Sequence, residues 1–132
     1  MTVRLNARRR LILFMWLVAL HSFAVFLGLI LIPAAQLSRF GLQNYSAGFF
    51  QAQGGVFHLV MSVAYLMAVK YLDETPALIY FSVSAKSIAV IFLLVYYFTA
   101  ESAWIILLSA FGDGLMAMLI YLLYKQFKRE TL

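Results

Sequence analysis

The sequence predicts an all-α integral membrane protein whose four helices form an antiparallel, up-down bundle. Three observations predict this fold. The chain of 132 residues is 65% hydrophobic and 11% charged, with a mean hydropathy of +0.94, whereas an ordinary soluble domain is about 45–50% apolar and about 25% charged. A globule of this size also has too little interior to hide so much apolar surface from water. Finally, the apolar residues fall into four runs, each close to the roughly 20 residues that a helix needs to cross a bilayer.

The four runs are consecutive in one transmembrane domain, 1–132, with predicted spans at about 11–32, 47–69, 77–98 and 103–124. Helices are favoured because they satisfy their own backbone hydrogen bonds where lipid cannot. Pro33 ends the first span, whose apolar run of about 22 residues is too long for the roughly 7–15 of a signal peptide. A turn is expected at Phe40-Gly41. The third span opens after DETP (73–76), because proline suits a first helical turn and acidic residues suit the positive end of the helix dipole.

The basic residues cluster at alternate ends of the spans, which gives the predicted orientation. Eight of them lie in the two terminal tails or after the second span: Arg4, Arg8, Arg9, Arg10, Lys70, Lys125, Lys128 and Arg129. The two opposite linkers contain only Arg39, and Lys86 lies inside the third span. The positive-inside rule therefore predicts that both termini are cytoplasmic. Because the bases flank the spans, we expect them to set topology and predict no nucleic-acid partner.

One ionisable residue lies near the middle of each predicted span: His21, His58, Lys86 and Asp113. At about 1.5 Å per residue, each lies roughly 13–17 Å from the predicted cytoplasmic end of its span, near the midplane of a core about 30 Å thick. Other polar residues recur with them at three- and four-residue steps, which indicates one face of each helix. These supporting residues are Gln51, Ser62, Tyr65, Ser82 and Ser109. The sequence therefore predicts a shared polar site at the midplane.

Lys86 is the predicted partner of Asp113, since consecutive helices joined by a short linker usually pack together. An unpaired charge at the bilayer centre costs about 2.5–3.5 kcal/mol on insertion scales, and pairing offsets part of that cost. The two groups could also both be neutral, because burial disfavours the charged form of each. Two interpretations stay open. The pair could fix the register of the helices, or it could form a proton or ligand site.

Several cofactor and activity hypotheses remain for this midplane site. His21 and His58 could be axial ligands of a haem, or could join Asp113 at a zinc or iron ion, although Lys86 would repel the cation; no metal site is predicted. A histidine and a carboxylate could also exchange a proton with a lipid-soluble substrate. The absence of cysteine excludes disulfides, thiol catalysis, iron–sulfur clusters and Cys-ligated zinc. No catalytic residue is predicted, and whether the protein is an enzyme stays open.

The chain resembles the DoxX-like family of small four-span bacterial membrane proteins. The resemblance covers about residues 24–124 and is carried by QAQGGVFHLVMSVAYLMA (51–68), a second span that opens with a polar-Gly-Gly turn, and by the polar position of FGDG (111–114) in the last span. Where the family commonly has a carboxylate near the start of the second span, this sequence has Gln51 and Gln53. The resemblance implies an accessory subunit of the bacterial inner (plasma) membrane, in some cases associated with quinone or sulfur redox systems.

The first functional hypothesis is an accessory or assembly subunit, or a binder of a lipid-like or quinone-like ligand at the polar midplane. The alternatives are a membrane enzyme or haem-binding redox protein that uses His21 and His58 with Lys86 and Asp113, and a proton-coupled transporter that acts as a dimer. The expected partners are the lipid bilayer, a lipid-like or quinone-like ligand, and either further copies of the chain or a larger membrane complex.

Overall fold

Four α-helices and one short 3₁₀ helix make up the structure, a computed structural model that describes residues 6–42 and 49–131. The elements are α1 (Ala7–Leu31), the 3₁₀ helix (Ala34–Phe40), α2 (Phe49–Lys70), α3 (Ala77–Thr99) and α4 (Trp104–Thr131). No strand occurs in the described ranges, so the predicted all-α class is confirmed. Each of the four α-helices is long and apolar enough to cross a membrane. The protein is therefore built as an integral membrane protein.

The helix ends differ from the predicted spans mainly where basic residues flank an apolar run. α1 begins at Ala7, before the predicted span, and the side chain of Asn6 caps it by accepting a hydrogen bond from the backbone N–H of Arg9 at 2.9 Å. α4 likewise continues to Thr131. Lysine and arginine favour helical conformation, so these helices extend beyond the apolar residues that reveal a span. The predicted start of the second span, residues 47–48, lies outside the described residues.

The linker after α1 folds back onto the start of α4. Its 3₁₀ helix ends at Gly41, which has a φ of 86°, a left-handed conformation that glycine adopts without steric cost. A Cβ added to Gly41 would lie 3.3 Å from the backbone of Ala103. The rings of Phe40 and Trp104 lie 6.2 Å apart, centroid to centroid. The turn expected at Phe40-Gly41 is therefore present, and it closes one end of the bundle.

The four helices do not pack equally tightly. α1 packs mainly against α2, and α3 mainly against α4; α1 and α4 also contact each other, whereas α2 and α3 touch much less. Seven of the eight buried residues of α4 follow one another at steps of four and three, as in knobs-into-holes packing: Ile106, Ala110, Asp113, Ala117, Ile120, Tyr124 and Phe127. At Gly55, α2 lies so close to α1 that an added Cβ would be 3.1 Å from the side chain of Ile30. A Cβ added to Gly112, beside Asp113, would meet no described atom of a neighbouring helix within 4 Å, so the bundle is more open at this position.

Polar contacts join the helices at both ends of the bundle. The backbone N–H of Ala7 donates to Glu130 Oε2 at 2.8 Å, which joins the start of α1 to the end of α4. Arg8 donates to Asp73 Oδ2 at 2.6 Å, and this hydrogen bond lowers the pKa of the Asp73 carboxyl. Both of these side chains are exposed, and surface ion pairs contribute about 0–1 kcal/mol. At the other end, the Gln51 side chain donates to the carbonyl of Ile32 at 3.0 Å.

Candidate functional site

A buried ion pair forms the centre of the candidate site. Lys86 on α3 donates to Asp113 on α4, with Nζ and Oδ1 2.5 Å apart, and the two side chains are only 4% and 12% exposed. The sequence predicted that Lys86 is the partner of Asp113, and the structure confirms this pairing. In a low-dielectric surrounding, the attraction between the two groups offsets part of the cost of removing both from water. The pair also joins α3 to α4 at one register.

The other two helices add a tyrosine and a serine to this pair. The ring of Tyr65 on α2 lies beside the lysine, with Nζ of Lys86 5.7 Å from the ring centroid, within the range of a cation–π interaction. Ser22 on α1 lines the same cavity as Tyr65, Lys86 and Asp113. Tyr65 and Ser22 are both almost fully buried. Each helix therefore contributes one buried polar side chain to a polar cluster around this cavity: Ser22, Tyr65, Lys86 and Asp113.

Ser22 is the member of this polar cluster that the sequence did not predict, because the ionisable His21 beside it was assigned to the site instead. His21 is exposed, so the prediction that it faces the interior is wrong. Successive residues differ by about 100° around a helix, and Ser22 continues the buried stripe of α1. That stripe, spaced by fours and threes, was a readable signal: Ala7, Leu11, Met15, Val18 and Ser22.

The other supporting residues differ in their roles: two of them join helices, one bonds within its own helix and one does not face inward. Ser62 is buried and donates to the carbonyl of Ala19 at 2.9 Å, which joins α2 to α1. Gln51 is buried and joins the same two helices near their other end. Ser82 is buried but donates within its own helix, to the carbonyl of Leu78 at 2.7 Å. Ser109 is exposed, so its predicted place in the site is wrong; a four-residue step to Asp113 was not enough to put it inside.

A cleft of about 560 Å³ opens between α2 and α3, where the bundle packs least tightly. Binding sites for small molecules commonly measure about 300–1,000 Å³. Its walls are apolar and include Phe57, Met61, Phe81, Ile88 and Phe92. Its polar lining consists largely of Ser22, His58, Tyr65, Lys86 and Asp113, which we call the polar floor. Several wall residues are more than half exposed, so the mouth of the cleft lies on the outer surface of the bundle, where lipid tails would surround it.

The polar floor retains hydrogen-bonding capacity that the protein does not use. An ammonium group has three donors, and the only hydrogen bond that Lys86 makes within the described chain is to Asp113. Oδ2 of Asp113 and both ring nitrogens of His58 have no hydrogen-bond partner among the described residues. Unmatched polar groups are costly in an apolar surrounding. The cleft can therefore offer both donors and acceptors to one polar group of a ligand.

The haem and metal hypotheses do not fit the arrangement of the histidines. A haem held by two imidazoles needs both of them to face one cavity, but only His58 lines the cleft and His21 is exposed. Among the described residues, no group of three or more His, Cys, Asp or Glu side chains could hold a metal ion. The hypothesis that His21, His58 and Asp113 together bind a zinc or iron ion is therefore not supported by their positions in the structure.

In comparisons with known proteins, no family model, no curated protein and no solved structure matches this chain.

Proposed function

We propose that this membrane protein binds one lipid-like or quinone-like molecule in the cleft between α2 and α3, with the polar group of that molecule on the polar floor. The observation that carries the proposal is the combination of an apolar cleft of about 560 Å³ with buried, incompletely satisfied polar groups at its base. Cavities of this size lined by apolar side chains and a few convergent polar groups are the usual form of small-molecule sites. Intramembrane ionisable residues are functional candidates by default.

The polar floor, more than the walls, provides the affinity in this proposal. A ligand tail gains little when it leaves lipid for the cleft, because lipid tails are as apolar as leucine. A polar group that enters the bilayer centre without a partner is costly. Hydrogen bonds from Lys86 and to Asp113 or His58 would remove that cost. The protein would therefore prefer molecules that carry a polar group to the depth of the floor.

The proposed topology is an up-down antiparallel bundle with both termini in the cytoplasm of a bacterial cell, in the inner membrane. Two features support it. The start of α1 contacts the end of α4 and the linker after α2 through Ala7–Glu130 and Arg8–Asp73. The same end carries most of the basic residues, as the positive-inside rule requires of a cytoplasmic face.

We propose further that the protein acts as an accessory or assembly subunit of a membrane complex, in agreement with its resemblance to DoxX-like proteins. In this role the ligand is bound and presented, and no bond in it is broken. The enzyme and transporter alternatives would each need a further step, either turnover or a path across the membrane. No contact among residues 6–42 and 49–131 favours either of them.

The proposal is tested by asking whether the protein concentrates one component of a bilayer. The full chain is reconstituted into lipid nanodiscs made from a total bacterial lipid extract, and the molecules that remain attached are counted by native mass spectrometry after the disc is removed in the gas phase. A tenfold preference in binding corresponds to a free-energy difference of about 1.4 kcal/mol. One hydrogen bond between helices in a membrane contributes about 0.6–1.7 kcal/mol, so one such bond to the ligand is enough for a preference of this size. We expect one class of molecule to be enriched roughly tenfold over its share of the extract. Retention of lipids only in their bulk proportions would contradict the proposal.

A further inference from the structure

The charges of the polar floor cancel. Lys86 and Asp113 are hydrogen-bonded to each other, so the pair has no net charge whether it is ionised or has transferred its proton. Ser22 and Tyr65 are neutral hydroxyl groups that line the same cleft. His58 also lines the cleft, and an apolar surrounding disfavours a charged imidazole there. The site is therefore electrically neutral although it is polar.

A neutral floor discriminates against charged ligands. A carboxylate or an ammonium group that entered the cleft would bring an uncompensated charge into a surrounding of low dielectric constant, which is costly. A carboxylate would also compete with Asp113 for Lys86. A carbonyl or hydroxyl group avoids both penalties, because it can use the free donors of Lys86 and the free acceptors of Asp113 while the ion pair stays intact.

We propose that the cleft selects molecules whose head is uncharged and carries a carbonyl or hydroxyl group on a long apolar tail, and that Asp113 is the residue that excludes anionic heads. This inference rests on the proposed function and narrows it. Among membrane components it favours neutral carriers such as quinones and long-chain alcohols over free fatty acids and cationic amphiphiles. Asp113 sets this preference by cancelling the charge of Lys86, which would otherwise attract an anion.

The test uses three probes that share one tail and differ only in the charge of the head. Hexadecanol is neutral, hexadecyl sulfate is permanently anionic and hexadecyltrimethylammonium is permanently cationic. The full chain in zwitterionic nanodiscs is exposed to equal, low proportions of the three, and the bound probes are counted by native mass spectrometry. Empty discs give the partition of each probe into lipid alone. We expect the wild-type protein to enrich hexadecanol at least tenfold over either charged probe.

Two variants change the charge of the floor in opposite directions. Asp113→Asn leaves the charge of Lys86 uncompensated, and we expect hexadecyl sulfate to become the preferred probe, a change in preference of more than tenfold. Lys86→Gln leaves the negative charge of Asp113 uncompensated, and we expect this variant to bind more hexadecyltrimethylammonium than the wild-type protein does. Helical circular dichroism and gel filtration establish that each variant is folded. If one variant does not fold, the wild-type preference and the other variant still decide the question.

The outcomes separate this inference from the proposed function. A wild-type protein that binds the sulfate or the ammonium probe as well as hexadecanol would overturn the selection for neutral heads but leave ligand binding in the cleft intact. An unchanged preference in the folded Asp113→Asn variant would overturn the role of Asp113. If no probe exceeds its partition into empty discs, both the inference and the proposed function fail.

Discussion

Replacing Lys86 by methionine is expected to destabilise the protein by about 3–5 kcal/mol, the range found when one partner of a buried ion pair is removed. The cause is the carboxyl of Asp113, which is only 12% exposed and would lose the hydrogen bond at 2.5 Å that compensates for its burial. Replacing both residues, as Lys86→Met with Asp113→Leu, is expected to recover most of that loss, because apolar side chains of similar volume often replace a buried pair without cost. Unfolding by sodium dodecyl sulfate, followed by circular dichroism, measures the difference.

Lys125→Met is the matched control for this comparison. Lys125 lies near the end of α4 and is exposed, so removing its charge leaves no buried group without a partner. We expect a change within about 0.5 kcal/mol, as is usual for surface substitutions. If the double variant is no more stable than Lys86→Met alone, the pair does not compensate for burial in the way proposed here.

Filling the cleft by Ala89→Trp is expected to lower ligand retention by more than about tenfold, equivalent to 1.4 kcal/mol or more. Ala89 is a small residue on α3 that lines the cleft one helical turn from Lys86, so an indole ring there would occupy the space of a ligand tail. Because the cleft is open on one side, the ring can be accommodated without forcing α2 and α3 apart. Native mass spectrometry of the variant in nanodiscs gives the retained amount relative to wild type.

The control for the filled cleft is Ala24→Trp, which adds the same ring to an exposed position of α1 that does not line the cleft. We expect its retention to equal that of wild type. Equal retention by Ala89→Trp would place the ligand elsewhere on the surface of the bundle.

The sequence predicted the helices and the ion pair because both follow from local rules. Apolar runs of bilayer length give the helices, and two opposite charges at one depth on consecutive helices give the pair of Lys86 and Asp113. The polar face of α2 was also predicted, since Gln51, Ser62 and Tyr65 lie on the stripe that packs inward. In each of these cases, the composition and spacing of a single segment contain the information.

The errors arose where a residue was judged by its chemistry and not by its place on the helix. His21 and Ser109 were included because they are polar and near the midplane, yet both are exposed. Ser22 was overlooked although it continues the buried stripe of α1. The cleft could not be predicted at all, because its volume depends on how far apart α2 and α3 lie. No pattern within one segment specifies that separation.

Photolabelling tests most directly whether a ligand occupies the cleft. A long-chain alcohol with a diazirine in the middle of its tail is added to the full chain in nanodiscs, irradiated, and mapped by mass spectrometry of peptides. The proposal predicts labels on the walls of the cleft, at Phe57, Met61 and Phe81, and loss of these labels when excess hexadecanol is added. Labels spread evenly over the lipid-facing surfaces of all four helices, with no effect of hexadecanol, would contradict it.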